Sequence, residues 1–163
     1  MERLGKQTIE FSSPASIIGY YSIVGEKEGN GNFKDFFDYV LKDDTFGEKT
    51  YEKAERKLLE HAIINSLGDI FISIPKMKEQ AIEYGHSEKR ELSLDKAGLR
   101  SGELDLLISG DLLNQIISSS FAAREYDLTF LGLYGACSTM GEAITVGSCL
   151  VEGNLINNCI AVT

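Results

Sequence analysis

The chain has 163 residues, 43% of them hydrophobic, and sets 16 Lys and Arg against 25 Asp and Glu, a formal charge of −9 at neutral pH. That length and apolar share suit one core of ordinary size and argue against intrinsic disorder, collagen-like repetition and several independent domains. An acidic chain without a basic block repels phosphate backbones, so nucleic acid is not an expected partner.

Met1 to Gln7 runs into polar residues rather than an apolar stretch of roughly 7 to 15 residues, so no secretory signal is visible. No uncharged run approaches the roughly 20 residues that cross a bilayer; the best stretch, Ser16 to Gly25, is short and holds Tyr20 and Tyr21. Any membrane contact is expected to be peripheral. Cys137, Cys149 and Cys159 are odd in number and widely spaced, with no CxxC. They argue against a disulfide frame and a structural zinc site, and for a reducing, cytoplasm-like compartment.

Two apolar patches, Ile9 to Phe11 and Ile17 to Val24, are separated by Ser12-Ser13-Pro14 and predict two short strands around a turn. Gly25 to Gly31 brings three glycines into a polar loop ahead of an expected helix over Phe33 to Leu41. A helix start there could hold an anion, but the loop lacks the Gly-Lys-Thr ending of a phosphate loop, and a connecting role is preferred. Thr50 is a candidate N-cap for a helix with Tyr51, Ala54, Leu58, Leu59, Ala62 and Ile63 at helical spacing and Glu52 placed to pair with Arg56. Ile70 to Ile74 then meets Pro75 and a charged segment, Lys76 to Lys96, read as a solvated helix or an excursion.

Beyond Gly98, Leu104 to Ile108 is a nearly continuous apolar run, the mark of a strand covered on both faces. A helical stretch through Arg124 follows, then a strand over Leu128 to Leu133, a turn at Gly135 to Thr139, a helix from Met140 to Val151 ending at Gly153, and a strand from Asn158 to Thr163. Three strands separated by two helices predict an α/β fold with a mostly parallel sheet and right-handed βαβ crossovers. A sheet closing on that strand leaves an edge and a face open, which suits part of a larger layered unit or pairing with another copy, a homodimer.

In open α/β sheets ligands gather at the carboxyl ends of strands. Gly110 to Gln115 and Gly135 to Thr139 fall there. Cys137 follows a strand and precedes a helix, an address where the helix dipole favours a thiolate and free N–H groups steady an oxyanion; the other reading is a small buried residue packing at a tight turn. A thiolate nucleophile calls for a base, and the two histidines, His61 in an apolar helical run and His86 in the charged segment, read as structural. Asp111 and Asn114 read as ligand groups or as a cap and turn pair, with capping preferred for Asp111. Cys149, Cys159 and Ser118-Ser119-Ser120 read as packing. No cofactor or metal is expected.

Three blocks carry a resemblance: Ala54 to Glu60 (AERKLLE), Asp105 to Ala123 (DLLISGDLLNQIISSSFAA) and Phe130 to Thr139 (FLGLYGACST), with a weaker match at Gly5 to Thr8. They resemble the stage V sporulation protein AD family of endospore-forming bacteria, a branch of the thiolase-like superfamily. The resemblance implies a thiolase-like fold of two similar halves with buried helices between sheets, of which residues 1–163 cover the N-terminal half, the second half being absent. It places Cys137 at the position of the acyl-accepting cysteine of related enzymes. It implies a non-catalytic protein that binds dipicolinic acid and supports its uptake into the developing spore with membrane proteins of the same operon, on the cytoplasmic side and peripheral to the spore inner membrane. The alternative is a cysteine-dependent acyltransferase of the thiolase or ketoacyl-synthase type. The motifs do not fix the ligand contacts; by their location at the strand ends, Asp111, Asn114, Cys137 and Ser138 are the candidate ligand-binding residues. One departure stands out: 34 residues lie between Ala62 and Ala97, so 67–96 reads as an inserted excursion.

Overall fold

The computed structural model describes residues 1–67, 103–113 and 115–163; the excursion expected at 67–96, beyond Leu67, lies outside them, as do His86 and Asn114. The chain opens with an antiparallel hairpin, β1 (Glu2–Leu4) and β2 (Thr8–Glu10), turning at Gly5, whose φ of 68° is the left-handed conformation a glycine adopts at no steric cost. Only the end of the second apolar patch is a strand, β3 (Ile23–Val24), which pairs in parallel with β4 (Tyr39–Val40). Between them lie the single turn α1 (Glu26–Gly29) and a short 3₁₀ turn at Lys34–Phe36.

The helix expected over Phe33 to Leu41 is therefore not formed, and the reason is tertiary pairing. Asp38 accepts the amide and hydroxyl of Ser22 at 2.8 and 2.9 Å, and the Leu41 amide donates to the Val24 carbonyl at 2.8 Å. These contacts draw the segment into extended pairing and leave Phe33 and Phe36 exposed.

Helix α2 (Tyr51–Leu67) starts where Thr50 accepts the Lys53 amide on its hydroxyl at 3.4 Å and the Ala54 amide on its carbonyl at 3.0 Å. It buries Ala54, Leu59, Ala62, Ile63 and Ile64. Arg56 does not pair with Glu52 as its spacing suggests. Its guanidinium turns to Glu60 at 2.5 Å and Glu125 at 3.7 Å, because Glu60 is itself buried and needs the counter-charge.

The second part of the chain runs β5 (Leu106–Ser109), α3 (Ile117–Glu125), β6 (Phe130–Gly132), α4 (Thr139–Glu152) and β7 (Cys159–Val162). The three strands form a parallel sheet in the order β6-β5-β7. All four residues of central β5 are buried, as the continuous apolar run predicts. Successive side chains point to opposite faces. Leu107 joins Leu59, Ile63, Ala122 and Ala123 beneath α2 and α3, while Leu106 and Ile108 meet Ala143, Val146 and Leu150 of α4. The result is a helix, sheet, helix sandwich, an α/β fold with the sheet in the middle.

Candidate functional site

The carboxyl edge of the sheet is assembled by backbone contacts. The Leu133 amide donates to the Ser109 carbonyl at 2.8 Å, and the Thr163 hydroxyl donates to the Gly110 carbonyl at 2.9 Å, so the exits of all three strands converge. Gly110 is pressed so close to the β6 exit that an added methyl would stand 2.2 Å from the Leu133 carbonyl oxygen, which is why this position carries no side chain.

Asp111, the residue after that glycine, is buried and caps α3. One carboxylate oxygen accepts the Ser118 amide at 2.6 Å; the other accepts the Ser119 amide at 2.8 Å and the Ser119 hydroxyl. The Ser109 hydroxyl donates to that of Ser119 at 3.0 Å, which completes a satisfied buried network. The capping reading of Asp111 thus describes its contacts, and both oxygens are already engaged. Sequence reasoning assigned no part to Glu55 of α2. One of its oxygens accepts the amides of Leu112 and Leu113 at 3.0 Å each, and the other accepts the Ser118 hydroxyl at 2.8 Å. The AERKLLE block contains this residue, but only its tertiary partners reveal the task.

Cys137 lies in a 3₁₀ turn, Ala136–Ser138, between β6 and the 14-residue helix α4. It is exposed, so the reading of it as a buried packing residue does not hold. Ala136 has a φ of 47°, a left-handed bend that turns the chain from strand exit to helix start. The Ser138 hydroxyl stands 2.8 Å from the Gly135 carbonyl oxygen and 2.5 Å from Glu142, two acceptors for its single proton. The Glu142 carboxylate lies against Gly135, where an added methyl would come within 2.4 Å of it. Thr139 is fully buried, and its hydroxyl has no hydrogen-bond partner among the described residues. An exposed thiol just ahead of a long helix can act as a nucleophile, and the helix start can attract an anion.

The other two cysteines are half-buried. The Cys159 thiol is pushed up, first by burial and then by the charge of Asp105. His61 is 1% exposed, with its ring centroid 4.8 Å from Tyr39, 5.5 Å from Tyr21 and 5.6 Å from Phe46. The Asn65 side-chain amide reaches both the His61 carbonyl at 2.6 Å and Nδ1 at 3.2 Å. His61 is thus buried within an aromatic cluster, in keeping with its place in an apolar helical run. Among the described residues, no helix is long and apolar enough to cross a membrane.

The family model of Stage V sporulation protein AD matches the chain in two stretches, residues 5–85 and 76–163, which overlap within the charged segment. The chain is 31% identical over 163 residues to Stage V sporulation protein AD of Bacillus subtilis, a match that covers 100% of the chain and 40% of that protein. Shorter likenesses link it to Endoribonuclease YbeY. One is 74% identical over 27 residues, 17% of the chain and 16% of the Agathobacter rectalis protein; another is 81% identical over 67 residues, 41% of the chain and 41% of the Geobacillus thermodenitrificans protein. Those stretches are too partial to assign that family, and the chain spans about two fifths or less of each of these three relatives. With a family model covering nearly all of its length and a full-span relative above 30% identity, the chain belongs to the Stage V sporulation protein AD family.

Proposed function

We propose that this chain is the N-terminal, thiolase-like half of a non-catalytic sporulation protein that binds dipicolinic acid and supports its uptake into the developing spore. It would act with membrane proteins of the same operon, peripheral to the spore inner membrane on the cytoplasmic side. Membership of the sporulation family over the chain's full span carries the reading. The strand exits add chemical support: dipicolinate is a small planar dianion, and the start of α4 offers first-turn amides beside Cys137 and Ser138. Asp111, its oxygens held by Ser118 and Ser119, serves such a ligand by fixing the loop beside it, and Asn114 follows three residues later in the sequence. Titration calorimetry of this chain and of a full-length family member with dipicolinate tests the reading. Heat from neither rejects it, while heat from the full-length protein alone means that this chain by itself does not complete the pocket.

The exposure of Cys137 favours a second reading, a cysteine-dependent acyltransferase of the thiolase or ketoacyl-synthase type. Incubation with an acyl-coenzyme A followed by mass spectrometry separates the two: a Cys137 thioester selects the enzyme, and an unmodified thiol removes it.

A further inference from the structure

Between Leu128 and Val151 the chain holds one charged side chain, Glu142. It lies in the first turn of α4 and reaches back over the Cys137 bend. One of its oxygens stands 2.5 Å from the Ser138 hydroxyl, on the residue after Cys137, and its carboxylate lies against Gly135, two residues before the thiol, where no side chain pushes it away. The carboxylate therefore contacts both flanks of the exposed cysteine.

The start of α4 thus already holds an anion, and that anion is its own. A negative side chain in the first turn is favoured by the helix dipole. Among the described residues neither Glu142 nor Asp111, the carboxylate that follows Gly110 on the same rim, forms an ion pair. The Ser138 proton has Glu142 and the Gly135 carbonyl as acceptors. A ligand carboxylate that is to accept from Ser138 meets an acceptor in place and a like charge beside it.

We propose that Glu142 is a specificity-determining residue of the Cys137 bend: an intramolecular anion that a ligand carboxylate must displace from Ser138, and that holds negative groups back while leaving neutral ones free to reach the thiol. The proposal rests on the placement of the site at the start of α4 in the reading above; its test does not need dipicolinate. Iodoacetate and iodoacetamide are close in size, react at the same sulfur and differ by one negative charge. The ratio of their rates at Cys137, read by peptide mass mapping on the full chain, cancels changes in the thiol itself and reports the charge next to it. Glu142→Gln should raise the iodoacetate rate relative to the iodoacetamide rate by about twofold or more at low ionic strength, Glu142→Lys should raise it further, and about 1 M salt should shrink both effects. Circular dichroism checks that each variant folds. An unchanged ratio in both variants, or a shift indifferent to salt, overturns the proposal. Calorimetry with dipicolinate on the same proteins keeps the two claims apart: a shifted ratio without heat from any of them upholds the Glu142 gate and counts against binding by this chain, whereas heat with an unshifted ratio upholds binding and rejects the gate.

Discussion

Gly110 and Thr139 meet where β5 ends and the Cys137 helix begins: a methyl on Gly110 would stand 3.0 Å from Thr139 Cγ2 as well as 2.2 Å from the Leu133 carbonyl. The first contact could be relieved by a small shift, but the second requires the β6 exit to move. Gly110→Ala is therefore expected to destabilise the protein by about 1–3 kcal/mol, read as a lower urea midpoint with an unchanged slope. An unaltered midpoint would mean that the loop yields freely.

The Asp111 cap makes a separate prediction. Asp111→Ala strands the Ser118 and Ser119 amides, both donors of buried residues, and should cost about 1–3 kcal/mol. Asp111→Asn keeps an acceptor and should lose less. Equal losses in the two variants, measured by denaturant unfolding, would contradict the capping geometry.

Acid should loosen the fold through two carboxylates. Glu152 is held below its ordinary value by the Met1 ammonium, aided by the amides of Ser13 and Ser12, and Asp105 is held low by the amides of Asn157 and Asn158. Both folded values lie below the unfolded ones. The stabilisation is therefore complete above the ordinary carboxyl range of about pH 4 and drains away as pH falls through the depressed values. Glu152→Gln and Asp105→Asn should each flatten the dependence of unfolding free energy on pH between about 5 and 2. A wild-type slope in both variants would place the acid sensitivity elsewhere.

The three thiols should separate by reactivity. Cys137 is exposed, whereas Cys149 and Cys159 are half-buried and burial lifts the Cys159 thiol further. Limited iodoacetamide treatment of the native chain, followed by peptide mass mapping, should label Cys137 first. Earlier labelling of Cys159 would contradict the packing of its sulfur near Gly147.

What the sequence disclosed and what it hid follow one physical line. The apolar run ending at Ile108 announced a strand buried on both faces, and Thr50 and Gly153 marked helix ends, because these signals are local or set by simple periodicity. The segment Phe33 to Leu41 misled because its aromatic spacing mimics a helix, while its conformation is decided by Ser22 and Val24, which lie earlier in the chain. Arg56 misled in the same way: two carboxylates lie within helical reach, and burial of Glu60 selected between them. The exposure of Cys137 and the work of Glu55 depend on which loops meet, which no spacing rule encodes.

Glu55 has one more implication. The loop it grips follows Gly110, which is packed against Thr139, the first residue of α4, so one run of contacts joins α2 to the helix start that follows Cys137. One carboxylate of the outer helical layer thus pins the same loop that meets the start of α4.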